Sequence, residues 1–579
     1  MRAIRGYLVR TISVLLPFAL VMQLSGGPLA HADNPPRKIL SGWNTYYGSA
    51  AGYASVLANA DLMEEITPFW YSLTDQNTIA DLYTASKLSV PIQQEIDSLT
   101  AANVQLLPTI TDGTNKGVLA GLLAQPAARA NIERAILNLV MSNKYAGIDL
   151  DFENFAFADG NTTWTTTAPL WVQFIHELGD ALHAQNKLLS VTTPVLFNPA
   201  TGKKGYYVYS WAGIAPYIDR LRIMAYDYST SSPGPIGPLD WATAALQYAV
   251  SVVPASKIYL GIPGYGRVWV TKVTGVCPSD VTASTSGSPA VFAMNKAQGL
   301  YTANNAAPTY NSQYAESSFT YQKTYNGTSK AGVLTSCTAT YQAWYQDAQA
   351  FTARANLVGQ FHIAGVAEWT LGLEDPSAMS AVRQVALSIA PDKVLSALTT
   401  NTSTLTYGDS GLFIGRFTLA DGTAVSGIPV TVEVTTPDKD APAVFNTTTG
   451  ADGTVSINVI PSESSTVTMH SGSTWTKLAS NSPGVTIIPA RLISLQAPTS
   501  IKSGASCVVT GSIQPSAAGV QVTITDGRSV IGTGQTDANG NFEISISESD
   551  VGIVSLRAQT SSDARFIAST STPSFVLVR

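Results

Sequence analysis

Tyr145-Ala-Gly-Ile-Asp-Leu-Asp-Phe-Glu153 has two interleaved characters. Gly147, Asp149, Asp151 and Glu153 take every second position, and Ile148, Leu150 and Phe152 fill the positions between them. Side chains of a β-strand point alternately to opposite faces, so one face carries three carboxylates and the other only large apolar groups. That combination fits a closed parallel barrel. The apolar face packs on an outer ring of helices, and the acids point inward, with Glu153 nearest the carboxyl end, where active sites of this fold open. A row of buried acids is poor core material. The alternative, a structural ion-pair or cation site, requires basic or oxygen ligands nearby, and the sequence identifies none.

Working outward, seven further strand-like runs alternate with helical patterns before residue 390: 38–43, 66–73, 104–110, 188–193, 221–226, 258–262 and 365–370. With 145–152 they make eight, and helical stretches such as 93–102, 127–142 and 170–185 lie between them. The expected fold is α/β, a (β/α)8 TIM barrel over 33–390. The long gap between the seventh and eighth runs predicts an inserted subdomain at about 271–340.

After Pro391-Asp392-Lys393, read as a linker, short alternating strands with Gly, Asp and Asn turns replace the helical periodicity. Gly427-Ile-Pro-Val-Thr-Val returns as Gly519-Val-Gln-Val-Thr-Ile. The turn dipeptide Asp452-Gly453 returns as Asn539-Gly540. Two all-β sandwich modules, 391–489 and 490–579, are expected, resembling bacterial Ig-like repeats.

Only 12% of the 579 residues are charged, 33 basic and 39 acidic, while 45% are hydrophobic. With 45 Gly and 31 Pro the chain is neither collagenous nor low-complexity. A net charge of −6 without a long basic run argues against nucleic acid as a partner. Arg2, Arg5 and Arg10, the short apolar run 12–24 and Ala30-His31-Ala32 read as a secretory signal peptide over 1–32, too short for a membrane span. The mature protein is expected to be extracellular and monomeric, with no membrane span. In that compartment Cys277 and Cys337 are disulfide candidates, closing a loop of about 60 residues. His176-Glu177 resembles the start of a zinc-protease helix, but the next histidine is His183, seven positions on instead of four. Both histidines are expected on the polar face of one helix, and no metal site is expected.

Carboxylates two residues apart on a strand lie ~6–7 Å apart and at an effective dielectric constant of ~20 repel by roughly 2.4 kcal/mol. One of the row should therefore stay protonated near neutrality, as a general acid requires, while its neighbours stay ionised. Position at the mouth assigns that role to Glu153; the raised pKa itself belongs to the coupled group.

At these residues the chain resembles glycoside hydrolase family 18, the chitinase-like enzymes, whose fourth strand has the form DGxDxDxE. Met224-Ala-Tyr-Asp227, Lys257-Ile-Tyr-Leu-Gly-Ile-Pro-Gly-Tyr-Gly-Arg267 and Glu368-Trp369 fit the same family in order and spacing, over about 36–388. Ala146 stands in place of the first aspartate, and Leu106-Leu-Pro-Thr-Ile-Thr-Asp112 lacks the SxGG pattern of typical chitinases. Phe152-Glu153-Asn154 is closer to the spore-cortex and peptidoglycan N-acetylglucosaminidase branch, although no LysM module is evident. The resemblance implies that Glu153 protonates the glycosidic oxygen, Asp151 orients the substrate's acetamido group, Asp149 supports Asp151 and Tyr226 hydrogen-bonds the acetamido carbonyl. It also implies that Asp227 and Met224 line the sugar subsite and that Trp369 forms its floor. In such enzymes the acetamido group is the nucleophile, and no cofactor is implied.

The expected function is hydrolysis, with retention, of β-1,4-linked N-acetylglucosamine polymers, either chitin or peptidoglycan. Two other readings stay open at this point. One is a non-catalytic glycan-binding protein on the same barrel, and the other is a surface adhesin in which the β modules act and the barrel is passive.

Overall fold

Eight parallel strands close on themselves: β1 (Leu40–Thr45), β2 (Glu65–Asp75), β3 (Thr109–Asp112), β4 (Gly147–Asp151), β5 (Leu188–Pro194), β6 (Arg220–Met224), β7 (Ile258–Pro263) and β8 (Gly365–Trp369). Each pairs with the next, and β1 pairs in parallel with both β8 and β2, which closes the barrel. The computed structural model describes residues 34–87, 91–402 and 404–579, so the expected signal peptide at 1–32 lies outside the described residues. Among the described residues no helix is long and apolar enough to cross a membrane.

The outward faces of the strands build the main core. Ile148 and Leu150 of β4, Leu189 and Val191 of β5 and Leu221 and Ile223 of β6 are fully buried against the helices. The helix Trp164–His183 shows how the ring is made. Its Trp171, Phe174, Ile175, Leu178 and Leu182 recur at three- and four-residue steps and are buried, whereas His176 and His183 bond Asp180 and Asp219 on its polar side. Each large apolar side chain so buried contributes roughly 1.5–3 kcal/mol.

Two local expectations are corrected. The run 104–110 is interrupted: Gln105–Leu106 pairs briefly with β2 and the barrel strand itself starts at Thr109. Pro108 lies at the break and has no N–H to give to a ladder. Thr78–Asp81 adds an antiparallel hairpin strand to β2 that no alternation announced.

Between β7 and β8 lies a five-stranded antiparallel sheet in the order Ala290–Ala293, Tyr265–Gly275, Leu334–Tyr345, Glu316–Thr328 and Thr309–Asn311. Cys277 and Cys337 are joined by a disulfide at its outer end, and Cys507 is unpaired. The sheet leaves the barrel within two residues of Pro263, so Tyr265, Arg267 and Trp269 stand beside the barrel mouth.

Beyond residue 391 there are two sandwiches. The first pairs a three-stranded sheet with a five-stranded one, and the second a three-stranded sheet with a six-stranded one. Each has its own apolar core, centred on Phe413, Phe417 and Met469 in the first and on Val509, Ile524 and Phe542 in the second. Gly453 and Gly540 take left-handed φ of 74° and 79°, as the matched turn dipeptides require.

The stretch after the barrel is held in place. Asp392 exchanges backbone hydrogen bonds with Thr476 and Leu478, and its carboxylate pairs with Lys477 at 2.5 Å. Trp475 of the first sandwich lies under the Arg37 guanidinium at 3.8 Å and stacks on His362 at 4.4 Å. Arg37 and His362 precede β1 and β8, so the sandwich docks on the base of the barrel, opposite the mouth. A fragment of residues 33–390 is therefore expected to hydrolyse short soluble oligomers at nearly the full-length rate. Comparing the turnover of the two proteins, both checked by circular dichroism, tests this. A folded but inactive fragment would show that the sandwiches complete the active site.

Candidate active site

Asp149 and Asp151 project from β4 into the barrel, with Ile148 and Leu150 on the other face. Glu153 reaches the mouth differently from the expected alternation. The strand ends at Asp151, and Glu153 has helical backbone angles (φ −109°, ψ −25°) at the start of the turn Asn154–Phe157. That turn is braced by Asn154, whose amide donates to the carbonyls of Asp112 and Thr114 at 3.2 and 2.6 Å. Below it, the Tyr209 hydroxyl donates to the Phe152 carbonyl at 2.8 Å. The turn brings the Glu153 carboxylate back onto Asp151, and the two are hydrogen-bonded.

Asp149 is surrounded by donors that sequence reasoning missed. Ser190 Oγ donates to Oδ1 at 2.6 Å, Thr109 Oγ1 to Oδ2 at 2.9 Å, and Thr192 Oγ1 lies 3.0 and 3.1 Å from the two oxygens. Arg222 Nε stands 3.8 Å from Oδ1. The basic and hydroxylic partners that the sequence did not identify are thus present beside Asp149. These partners come from three other strands, and the alternation that places Met224 inward also places Arg222 inward, two positions earlier.

Burial is the largest influence on all three acids and pushes each upward. Asp149 is pulled partly back by Arg222 and the three hydroxyls. Asp151 is held well above the usual carboxylate range by burial, then by the charges of Glu153 and Asp149, and then by its hydrogen bond with Glu153. Glu153 is raised by burial and by Asp227, while the bond from Asp151 draws it back. Both members of the pair are thus pushed upward, which favours one proton shared between Asp151 and Glu153 at the mouth. Activity is expected to persist well above the ordinary carboxylate pKa of about 4 and to fall on the alkaline side as the pair loses that proton. The basic limb of the kcat/KM profile checks this.

Asp151 and Glu153 open into a cleft of about 410 Å³ that is also lined by Met224, Tyr226, Asp227 and Trp369. The Trp369 ring is braced edge-on by Trp43 at 5.7 Å and Phe69 at 5.0 Å, which leaves one face for the cleft. Glu368 points the other way, into the strand–helix layer, where burial and Glu374 push its carboxyl well up. The Tyr226 ring lies against Gly261 of β7, where a Cβ would come 2.9 Å from Cε1. Its hydroxyl is kept protonated by burial. Asp227 has φ 59°, uncommon for a residue with a side chain. Its carboxylate takes hydrogen bonds from the Tyr265 hydroxyl and from Arg267 Nη2, the latter at 2.7 Å. Tyr206, Tyr228 and Trp241 also line the cleft and were not singled out from the sequence. Tyr228 and Trp241 continue it into a second depression of about 490 Å³ between the loop after β5 and the helix Leu239–Val252.

The sequence model of the glycosyl hydrolases family 18 matches residues 43–374, from within β1 to beyond β8, and takes in every residue that lines this cleft. The chain belongs to glycosyl hydrolases family 18. It is accordingly a glycoside hydrolase. Among similar proteins, the uncharacterized glycosylase YvbX of Bacillus subtilis (strain 168) is 24% identical over 267 residues, 45% of this chain and 68% of that one. The cortical fragment-lytic enzyme of the same organism is 24% identical over 255 residues, 42% of this chain and 52% of its own. Chitotriosidase-1 of Mus musculus is 22% identical over 365 residues, 58% and 72% of the two chains. Among solved structures, a chitinase from Chromobacterium violaceum ATCC 12472 superposes with a TM-score of 0.48 at 22% identity, covering 60% of this chain and 98% of that one.

Proposed function

We propose that this enzyme is a secreted, retaining hydrolase of β-1,4-linked N-acetylglucosamine polymers, chitin or the glycan strands of peptidoglycan, in which the substrate's own acetamido group is the nucleophile. The observation that carries this reading is the grouping of Asp151, Glu153, Tyr226, Asp227 and Trp369 around one cleft at the mouth of a family 18 barrel. Asp151 lies beside Glu153, Asp149 supports it from below and is itself held by hydroxyls and Arg222, and Asp227 is held by Tyr265 and Arg267. Asp149 and Asp227 are thus occupied by other partners, which supports a nucleophile supplied by the substrate rather than by a protein carboxylate.

In the proposed reaction the acetamido N–H takes over Asp151, whose proton passes to Glu153. Glu153 protonates the glycosidic oxygen as the acetamido oxygen attacks C1, and the leaving sugar departs with that proton. The resulting oxazolinium cation is stabilised by the Asp151 carboxylate, and Tyr226 donates its hydroxyl to the acetamido oxygen. Asp149 supports Asp151 from below. Trp369 stacks on the sugar ring, and Asp227 and Met224 line its subsite. The Glu153 carboxylate then removes a proton from water, which opens the ring at C1 on the same face, so configuration is retained. Export is supported by the basic–apolar–small pattern of residues 1–32 and by the Cys277–Cys337 disulfide.

Incubation with N-acetylglucosamine oligomers and with purified peptidoglycan, with products identified by mass, tests the reading. Fragments ending in N-acetylglucosamine are expected from at least one of the two. Intact substrate in both would overturn it.

A further inference from the structure

The barrel interior beneath the acids is charged where branched aliphatic side chains usually fill this fold. Arg220 and Arg222 of β6, Glu65 of β2 and Asp149 of β4 all point into it. Arg222 is wholly buried, and each nitrogen of its guanidinium is engaged. Nη2 donates to Glu65 Oε1 at 2.6 Å, Nη1 to Ser41 Oγ at 3.0 Å and Nε to Ser190 Oγ at 3.1 Å, with Asp149 Oδ1 at 3.8 Å. Its Cζ also lies 4.7 Å from the centre of the Tyr259 ring. Glu65 in turn accepts from Arg220 Nε at 2.8 and 3.0 Å. From base to mouth the charges therefore alternate: Arg220, Glu65, Arg222, Asp149, and then the Asp151–Glu153 pair with its single proton.

As scaffolding this ladder is costly, because a buried ion array is often less stabilising than apolar side chains of the same volume. Its order makes sense in relation to the proton. Asp149 is faced by Asp151 on its own strand, by Thr109 of β3, Ser190 and Thr192 of β5 and Arg222 of β6. Arg222 is faced by Glu65 of β2, Ser41 of β1 and Tyr259 of β7, and β8 presents only Gly365 and Ala367 there. The three hydroxyls around Asp149 can rotate to accept from a protonated carboxyl as readily as they donate to an ionised one. Among the described residues, Arg222 is the cation within ion-pair range that distinguishes the two states.

We propose that Arg222 is a positioning residue for the reaction: it holds Asp149 as a carboxylate, so that the proton of the acid row stays on the Asp151–Glu153 pair, where the glycosidic oxygen is met. This rests on the reading of Glu153 as the acid. Without Arg222 the buried Asp149 competes for the proton, and the active form is reached only at higher pH. Without Glu65 the Arg222 charge acts on Asp149 uncompensated, and the active form extends to lower pH. A structural role alone predicts no such opposition of sign.

The test is the pH profile of kcat on a soluble N-acetylglucosamine oligomer for the native enzyme, Arg222→Gln, Arg222→Lys and Glu65→Gln, with folding checked by circular dichroism. Arg222→Gln should lower kcat about tenfold or more at the native optimum, with KM little changed, and move the acid limb up by about one pH unit or more. Arg222→Lys should return the limb toward the native position. Glu65→Gln should move it down. If Arg222→Gln does not fold, the direction seen in Glu65→Gln decides. Limbs that stay in place, or that move the same way in both Gln variants, overturn the proposal. A Glu153→Gln control that stays active overturns the underlying assignment instead, whatever the limbs do.

Discussion

Glu153→Gln is expected to lower kcat by at least ~100-fold while leaving oligomer binding in place, because general acid–base catalysis contributes that much or more. The substitution keeps the shape and hydrogen-bonding reach of the side chain but removes the group that receives the Asp151 proton. The surrounding support does not depend on the charge. The turn after Glu153 is fixed by Asn154 on the Asp112 and Thr114 carbonyls and by Tyr209 on the Phe152 carbonyl, so the cleft should keep its form. Binding measured by calorimetry and turnover measured on the same oligomer separate the two effects. Near-native turnover would remove Glu153 from the mechanism.

The second large effect is expected in the substrate. If the acetamido oxygen is the nucleophile, an oligomer carrying glucosamine at the cleaved position lacks an attacking group held at C1. A well-oriented intramolecular group is equivalent to a very high effective concentration, so its loss should slow cleavage at that sugar by ~10³-fold or more. The stacking surface of Trp369 and the groups around Asp227 do not require the acetyl group, so the de-N-acetylated oligomer should still bind and should act as a competitive inhibitor. Efficient cleavage beside glucosamine would mean that a protein carboxylate, freed from the bonds described above, serves as nucleophile.

The barrel was legible because its signals are local. The alternation in β4, the apolar runs of β5 to β8 and the three- and four-residue steps of the helix Trp164–His183 each follow from a few neighbouring residues. The acid row was legible for the same reason as far as Asp151. Beyond it, Glu153 is placed by a change of backbone from extended to helical, a feature that alternation cannot carry. The environment of Asp149 depends on register: it faces Ser190 because β4 and β5 pair Asp149 with Ser190, and that pairing is written in neither strand alone. Thr192 and Arg222 then follow by steps of two. The docking of Trp475 against Arg37 and His362 joins residues more than 100 positions apart, and nothing in the short-range pattern of any of the three announces it. Tyr206, Tyr228 and Trp241 lie on loops and a helix start, where aromatic residues carry no periodic signal that separates a cleft wall from a core.

The anomeric configuration of the first-formed product distinguishes participation of the acetamido group from direct attack by water. Proton NMR of a soluble N-acetylglucosamine oligomer, recorded within the first turnovers and before mutarotation, should show the new reducing end in the β configuration, since attack by the acetamido oxygen and then by water inverts C1 twice. A product released as the α anomer would require a single displacement by water and would contradict participation of the acetamido group.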